Sequence, residues 1–600
     1  MRRVLSVLAL TCLGACGAPA PATPPATAAT PPAATVVSPS APVVSAPLAD
    51  GSSAPRPAND SGLGRLDFPI TGSPECQRNF TEGMLALHSF LYDQAHVSFA
   101  AALAADPKCA MAAWGDAMAY DKAIWHDRDA AKGRAALARI GDEQTLTPKE
   151  RAFLRAARAD YEKALTSEGH VAWLAAAAAM HQDYPDDDEV TLQYALALLS
   201  VYVYQPAHVR EQMQAGALAL QVLQHNPEHP GAAHYVIHAF DSPEHAILAL
   251  PAARLYARIA PAGSHALHMP SHVFAQLGLW RDVVASNEAA YAASVAWEKS
   301  RGHTPSNYDW HSYSWLVAAH LELGQPAAAR KLIEEAGALL SAAKDDSAQL
   351  RFAYTRMVGN YATQTGRWQE MEAMIAPVFA PAVDEGGAVG AVACAAHAPG
   401  GGGATREPIV PYARLFANEL RAEAAIRLGD ERTAVKRVAD MTAIRAQMTP
   451  WKEELTPDLT ARFEAERDAL LARAHAVLKP SGAAEKKVIE ALERRQKLGG
   501  GESASGPAMD RTVHELLGEA LVAAGKPKDA LAQFQTDLEV RPNKALALLG
   551  AARAAKAAGD AQKARTYYGA LAELWKEADA DLPELGEVRA GAGSGTEAVR

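Results

Sequence analysis

The chain repeats one short histidine pattern at a fixed interval, once in AAHYVIHAF (232–240) and once in ALHMPSHVF (266–274). Each segment carries a His-x-x-x-His pair, and the two pairs lie 34 residues apart: His234/His238 and His268/His272. Pro227 and Pro261 are separated by the same 34 residues, so each proline precedes its pair by an equal distance. A pattern that returns at such an interval is typical of chains built from stacked supersecondary units, each of which buries its core against its neighbours.

A second pattern predicts that each unit is a pair of helices. Small residues, an aromatic residue and a proline follow one another at helical spacing in Gly83, Ala95, Phe99, Ala102 and Pro107. The spacing returns near the C-terminus in Gly518, Ala530, Phe534 and Pro542, where Asp537 replaces the second small residue. This pattern resembles the tetratricopeptide repeat (TPR), in which small residues lie where two helices touch. The resemblance implies an all-α fold, a TPR-like helical-hairpin solenoid with a concave groove.

Further helical hairpins are expected between clusters of Pro, Gly and Asp, which end helices. The predicted hairpins span 150–182, 190–225, 311–340, 350–376 and 411–445. Strand patterns are scarce beyond residue 65, and aromatic residues make up only 6% of the chain, which favours closely packed helices over sheets. The acidic run at 186–189 is expected to cap the helix that follows it rather than to bind calcium.

The N-terminus has the organisation of an export signal. Arg2 and Arg3 precede an apolar run, 4–13, that is too short to be a stable membrane span. The sequence LGAC at 13–16 resembles the lipobox of bacterial lipoproteins, which implies that Cys16 is lipidated. The alternative is an ordinary secretory signal with an incidental cysteine. Gly17, rather than Asp, follows the cysteine, which favours the outer membrane, on its periplasmic face or at the cell surface, with the lipid as the only membrane attachment.

Composition divides the chain into segments. These are a signal peptide with its lipobox cysteine (1–16), a Pro/Ala-rich tether (17–60), an N-terminal TPR-like solenoid (61–384), a Gly-rich insertion (385–404), continued helical repeats (405–498), a linker (499–507), a C-terminal TPR unit (508–585) and a tail (586–600). Over 65–380 the chain also resembles a group of poorly characterised exported bacterial TPR proteins, through DPKCAMAAWGDAM, AAHYVIHAFDSPEHA and HALHMPSHVF. That resemblance implies fold and export, and no particular activity.

The histidine pairs are candidates for a metal site. Residues four apart share one face of a helix, so each pair points to one side. In TPR proteins the first helix of each repeat lines the concave groove, and the candidate ligands fall early in such helices: His234, His238, His268 and His272. Neighbouring helices lie about 8–10 Å apart, so both pairs could converge on one ion. Zn²⁺ and Cu²⁺ both suit imidazole.

Three more residues are expected as secondary or alternative ligands: His265, His311 and Asp241. Because a metal binds neutral imidazole, the affinity is predicted to fall as the pH drops through about 6.5. Two alternatives remain open, namely a groove that contacts a peptide or other ligand without a metal, and simple packing of the histidine rings.

Cys76 and Cys109 are predicted to form a disulfide. They are 33 residues apart, almost one repeat, which places them near the starts of adjacent first helices. Export supplies an oxidising compartment in which such a bond persists. The alternative is a pair of buried free thiols.

These features favour a binding protein over an enzyme. The expected function is a membrane-anchored scaffold that holds a protein or peptide partner, or another ligand, in its concave groove, with Zn or Cu as the metal if the histidines bind one. The alternative is a metal-dependent hydrolase-type enzyme using the same histidines, because a bound metal with an open position activates water. Nucleic acid is excluded as a partner by the net charge of −11 and the lack of a basic block.

Overall fold

The computed structural model describes residues 61–125, 127–163, 167–202, 208–343, 348–379, 409–447, 457–478, 480–498 and 511–593. Its first helices are α1 (Pro74–His88), α2 (Tyr92–Ala105), α3 (Ala110–Ala119), α4 (Ala130–Leu137), α5 (Pro148–Glu162), α6 (Ser167–Asp183), α7 (Asp188–Tyr202), α8 (Val209–His225), α9 (Pro230–Ala239), α10 (Ala246–Ile259), α11 (Ser264–His268), α12 (Pro270–Gln276) and α13 (Trp280–Ser300). A short antiparallel pair, β1 (Asp121–Lys122) and β2 (Asp127–Arg128), lies between α3 and α4.

The remaining helices are α14 (Trp310–Glu322), α15 (Pro326–Ala342), α16 (Ala348–Thr365), α17 (Trp368–Ile375), α18 (Ile409–Arg427), α19 (Glu431–Gln447), α20 (Pro457–Leu478), α21 (Gly482–Lys497), α22 (Val513–Ala523), α23 (Pro527–Val540), α24 (Ala545–Ala557), α25 (Ala561–Leu574) and α26 (Leu585–Ala592). Consecutive helices pack on one another, and alternate helices also touch, as α14 does with α16 and α16 with α18. The predicted all-α helical-hairpin solenoid is confirmed. The five predicted hairpins coincide with α5–α6, α7–α8, α14–α15, α16–α17 and α18–α19.

Helix starts are encoded locally. Thr147 and Thr512 each begin a capping box: the threonine hydroxyl accepts from the backbone N–H three residues on, and a glutamate there accepts from the threonine N–H. Proline occupies the first turn of several helices, where its missing N–H costs no hydrogen bond. In the acidic run, Asp187 accepts a hydrogen bond from Val190 N at 3.1 Å, as a capping residue does.

Glycines at the helix contacts explain the spacing seen in the sequence. A Cβ atom on Gly83 would lie 2.5 Å from the Phe99 ring, and one on Gly115 would lie 2.4 Å from it. Since real Cβ atoms do not approach so closely, only glycine lets α1 and α3 pack against this ring. The C-terminal helices repeat the arrangement with Gly518, Phe534 and Gly550.

Cys76 and Cys109 form a disulfide in the structure. Cys76 lies in the first turn of α1, Cys109 is the N-cap of α3, and their Cα atoms are 6.7 Å apart. Both side chains are buried. The bond therefore joins two alternate helices at the beginning of the described solenoid.

The C-terminal helices dock on the ends of α12 and α14. Trp280 Nε1 donates to the carbonyl of Asn543 at 2.9 Å, and Trp575 Nε1 donates to the carbonyl of Glu322 at 3.0 Å. Gly278 has a φ of +67°, and a Cβ atom there would lie 2.2 Å from the carbonyl oxygen of Pro542. Glycine is needed at this position both for its left-handed backbone and for the close approach. The docking places α22–α26 in the same hydrophobic cluster as α1–α13.

The predicted tail needs a correction. Residues 585–592 form α26, in which Leu585 and Val588 are buried. Glu587 joins the helix to its neighbours, accepting from Tyr568 Oη at 2.5 Å and from Arg553 Nε at 3.0 Å. The two apolar residues lie three apart and share a helix face, a signal too short to stand out in the sequence.

Several predicted segments lie outside the described residues: the signal peptide with Cys16, the tether at 17–60, the insertion at 385–404 and the linker at 499–507. Among the described helices, none has the length and hydropathy that crossing a bilayer requires.

Candidate metal centre

Six histidines form two groups of three on successive first helices. In each group one nitrogen of every ring lies within 4.8 Å of the corresponding nitrogens of the other two. The upstream triad comprises His234, His238 and His265, and the downstream triad comprises His268, His272 and His311. The four predicted ligands are thus divided two and two, and each pair gains as its third member a histidine that was predicted to be secondary.

The triads occupy equivalent places in the repeats. Each takes an i, i+4 pair from one first helix and a third ring from the beginning of the next first helix. The pair of the upstream triad lies on α9 and its third ring at the start of α11; the pair of the downstream triad lies on α11 and α12 and its third ring at the start of α14. The third ring could have been found from the sequence, since His265 and His311 each stand at the first turn of the following repeat.

The paired rings of each triad meet through their Nε2 atoms. His234 Nε2 and His238 Nε2 are 3.0 Å apart, and His268 Nε2 and His272 Nε2 are 3.1 Å apart. Two nitrogen ligands on one tetrahedral Zn²⁺ ion are separated by about 3.3 Å, because each Zn–N bond is about 2.0–2.1 Å long. The Nε2–Nε2 distance in each pair is therefore close to the distance between two ligands of one zinc ion. The third ring of each triad would have to move inward to reach the same ion.

Oxygen acceptors fix the tautomers of the downstream pair. His272 Nδ1 is 2.9 Å from Asp241 Oδ2, and His268 Nδ1 is 2.7 Å from Asn287 Oδ1. The Asn287 amide nitrogen donates to the Val283 carbonyl, so its oxygen is left to accept. When both rings are neutral and donate through Nδ1, both Nε2 atoms carry lone pairs, and those lone pairs face one another. Asp241, predicted as a secondary or alternative ligand, contacts the Nδ1 atom of His272, on the side of the ring away from His268.

In the upstream pair, the His88 carbonyl fixes the His234 ring. His234 Nδ1 donates to the carbonyl oxygen of His88 at 2.7 Å, which leaves a lone pair on its Nε2. His265 Nε2 is shielded from solvent and has no hydrogen-bond partner among the residues that the structure describes. A buried nitrogen without a partner is unusual, and it is a ready ligand for a cation.

One aromatic ring covers each triad. The Phe90 ring lies 4.3–5.8 Å from the three imidazoles of the upstream triad, measured between centroids, and the Trp315 ring lies 4.6–5.6 Å from those of the downstream triad. Phe90 has a φ of +54°, a left-handed conformation that costs a bulky residue about 1–3 kcal/mol. The surrounding packing holds this strained residue over the histidines.

Burial keeps upstream rings neutral. It lowers the pKa of His234 to about 3, although the hydrogen bond to the His88 carbonyl opposes the shift. Burial also lowers the pKa of His265 well below its ordinary value, and the nearby His234 and His268 rings add to the effect. These two upstream rings therefore stay neutral at a lower pH than an ordinary imidazole does.

The histidines do not line an open surface. The paired residues His234, His238, His268 and His272 are all buried, while His265 and His311 are half-buried. Packing of the first helices against Phe90 and Trp315 places the pairs inside the repeats. A ligand in the concave groove predicted from the sequence could thus contact the triads only through their half-buried members, His265 and His311.

A third group, His88, Glu189 and His229, was missed in the sequence. Glu189 accepts from His88 Nε2 at 2.9 Å and from His229 Nε2 at 3.1 Å, and all three residues are buried. His229 Nδ1 accepts from the Ala232 N–H at 3.4 Å. Burial alone would raise the pKa of Glu189, but the two histidines outweigh it and hold that pKa below its usual value. Every ring nitrogen here has a protein partner, so this group joins α1, α7 and α9 rather than offering lone pairs to a metal.

A fourth group surrounds Arg128. The guanidinium donates to Asp121 Oδ2 at 3.0 Å and to Asp160 Oδ1 at 2.7 Å, and His170 Nε2 lies 3.3 Å from Asp121 Oδ1. Burial and the charge of Asp121 raise the pKa of Asp160 to about 9. Since the arginine already supplies the cation between the two carboxylates, this group does not fit a metal ion.

Comparisons with known proteins yield structural likeness alone. No family model matches the chain, and no curated protein matches it. A human IFIT1 dimer with PPP-AAAA is 13% identical, with 82% of this chain and 89% of that chain covered and a TM-score of 0.33. Yeast Tom70 is 12% identical, with coverage of 84% and 92% and a TM-score of 0.31. At these values the likeness supports no inference about ligands, and the TPR-like fold rests on the chain's own helix packing.

Proposed function

We propose that this protein is a metal-binding helical-repeat protein that holds Zn²⁺ or a copper ion in its histidine triads. The observation that carries the proposal is the downstream pair, whose Nε2 atoms are 3.1 Å apart while their Nδ1 atoms contact the oxygens of Asp241 and Asn287. If both rings are neutral and donate through Nδ1, two Nε2 lone pairs face each other. Facing lone pairs repel unless a proton or a cation lies between them. A transition-metal ion binds both lone pairs at once, and imidazole is among its preferred ligands.

The outer contacts are those that metal-binding histidines use. A ligating histidine donates its other ring N–H to a carboxylate, a carbonyl or another acceptor, which fixes the ring and strengthens it as a ligand. His272, His268 and His234 make such contacts with a carboxylate, an amide oxygen and a backbone carbonyl, respectively.

Elemental analysis of the purified full chain, without a histidine tag, tests the proposal. We expect bound Zn or Cu in stoichiometric amount, and we expect it to be lost when His234 and His268 are both replaced by alanine. Replacing His225 and His475, whose side chains are 55% and 62% exposed, is the matched control and should leave the metal in place. A wild-type chain that binds neither metal with micromolar or better affinity would contradict the proposal.

We also propose that the chain is anchored by lipid on Cys16 and that its repeats carry a surface for a protein or peptide partner. Stacked helical hairpins present extended curved surfaces suited to such binding. The Cys16→Ser variant should move from the membrane fraction to the soluble fraction. Mass spectrometry of the mature N-terminus provides the independent readout, and an unlipidated N-terminus on a protein that stays in the membrane would contradict the anchor.

Metal-dependent hydrolysis is the second candidate, because three histidines leave one coordination position for water, as in catalytic zinc sites. Asp241, a carboxylate that contacts this triad, is engaged with His272 Nδ1 rather than facing the Nε2 atoms. The zinc-loaded chain should therefore hydrolyse p-nitrophenyl acetate no faster than the His311→Ala variant. A rate that depends on His311 would favour the enzyme.

A further inference from the structure

Resting on the proposed metal function, we propose that the two triads form one coupled unit that holds a single divalent ion at a time. Each triad has three ring nitrogens of its own, so either triad can receive the ion. An ion in one triad repels a second ion from the other, because the two triads lie next to each other. The vacant triad is then an alternative position for the same ion.

The triads meet on α11. His265, the third ring of the upstream triad, and His268, in the pair of the downstream triad, are three residues apart on this helix and lie on the same side of it. Their ring centroids are 6.3 Å apart. Within the triads, the distances between ring centroids range from 4.6 to 6.4 Å. The step from one triad to the other is therefore no longer than the steps within them.

This contact limits how far apart two bound ions could lie. A ligated Zn²⁺ ion is about 3 Å from the centroid of its imidazole ring, because the Zn–N bond is about 2.0–2.1 Å long. Ions bound to His265 and His268 would thus be at most about 14 Å apart, with about 1 Å allowed for the inward movement of the third ring. The paired histidines of both triads are buried, and salt screens charges in such surroundings much less than it does at the surface.

The repulsion is strong because both ions carry two charges. Two dications repel four times as strongly as two unit charges at the same distance. At about 14 Å this weakens the binding of the second ion by about 50-fold if the effective dielectric constant is about 40, and by more than about 1,000-fold if it is about 20. A fixed charge such as that of Asp241 changes the affinity of each triad for its ion, but the repulsion between the two ions stays the same.

Matched variants measure each triad alone. His265→Ala disables the upstream triad and His311→Ala the downstream triad, and both residues are half-buried third rings at the start of a first helix. The stepwise Zn²⁺ affinities of the full chain and of both variants are measured in competition with a chromogenic chelator, with circular dichroism showing that the helices are intact. The coupling factor is the affinity of the weaker triad alone divided by the affinity of the wild-type chain for its second ion.

We expect each variant to bind one Zn²⁺ ion. The wild-type chain should bind its first ion at least as tightly as the better variant does, and the coupling factor should be at least about 50. The double variant His225→Ala/His475→Ala, which changes exposed histidines, is the control and should reproduce both wild-type affinities.

Cu⁺ tests whether charge is the cause of the coupling. Copper also accepts imidazole ligands. Two Cu⁺ ions repel one quarter as strongly as two dications, so the coupling factor should fall to about 3–8. Binding is measured without oxygen, in the presence of ascorbate, against a Cu⁺-specific chelator. A coupling factor as large for Cu⁺ as for Zn²⁺ would show that a change of shape links the triads, and it would overturn the proposal.

Two other results would overturn the shared ion while leaving the metal function standing. One is a second wild-type affinity equal to that of the weaker triad alone, which would make the triads independent. The other is a loss of Zn²⁺ binding in either variant, which would show that the triads are not alternative positions for one ion. If the wild-type chain bound no ion, the proposed metal function itself would fail, which is a different outcome.

Discussion

Single glycines decide how closely the first helices of the repeats approach. The Gly83→Ala variant would place a Cβ atom 2.5 Å from the Phe99 ring, which is buried and cannot move aside freely. We expect this overpacking to lower the free energy of unfolding by about 1–3 kcal/mol. Urea unfolding followed by circular dichroism measures the change.

Two variants serve as controls for Gly83→Ala. Gly569→Ala, within α25, adds a methyl group with no atom within 4 Å and should stabilise the helix by about 0.5–1 kcal/mol. Phe99→Leu, combined with Gly83→Ala, should recover part of the loss because it shortens the side chain that the methyl group meets. Equal effects of both alanine substitutions would show that helix propensity, rather than the ring contact, governs the position.

At this same scale, the sequence predicted which histidines share a helix face better than it predicted their partners. The spacing of His234, His238, His268 and His272 placed them on helix faces, because that depends on local geometry alone. The third ring of each triad comes from the next repeat, and the division into two triads depends on how far successive helices are displaced. The local sequence around Glu189 predicts only a helix-capping run, because its contacts with His88 and His229 join residues far apart in the chain.

Among the secondary-structure elements, α1 and α3 are tied together by the Cys76–Cys109 disulfide. The bond closes a loop of 33 residues, so its removal should cost about 3–4 kcal/mol through the greater freedom of the unfolded chain. We expect the Cys76→Ala/Cys109→Ala double variant to unfold at lower denaturant concentration than the oxidised wild type. Reduced wild type is the control, and it should unfold close to the double variant.

The helices themselves were largely predictable. Capping threonines, first-turn prolines and glycines after the last turn act within a few residues, so they mark helix ends without knowledge of the fold. The exception is α26, whose eight residues offer only Leu585 and Val588 to the core. Its stability comes from α24 and α25, through Arg553 and Tyr568, and that support is invisible in a local pattern.

For the whole molecule, the docking of the C-terminal helices depends on a buried acid. Glu322 accepts from the Ala545 N–H at 2.7 Å and from Gln364 Nε2 at 2.9 Å. Burial raises its pKa from 4.5 to about 7, although the positive charge of Lys544 opposes the shift. The folded chain therefore holds a proton that the unfolded chain releases above its ordinary pKa.

This raised pKa predicts the pH dependence of stability. The contribution of the bound proton is fully present below about pH 4.5 and is lost as the pH rises through about 7, a difference of up to about 3 kcal/mol. Glu322→Gln keeps both hydrogen bonds, if the Gln364 amide turns over, and carries no charge. In thermal unfolding measured from pH 5 to pH 8, the melting temperature of the wild type should fall relative to that of this variant as the pH rises. Melting temperatures that change with pH in parallel would contradict the raised pKa.

The contacts of Asn543 with Trp280, and of Ala545 with Glu322, join residues 263 and 223 positions apart. A solenoid with neighbour contacts alone can begin to fold at any repeat, but this closure has to wait until the intervening chain is in place. Folding should therefore finish with a slow step. Until that step, the indole N–H groups of Trp280 and Trp575 lack the carbonyl partners that they have in the folded chain. In a crowded compartment, other chains have the chance to bind there first.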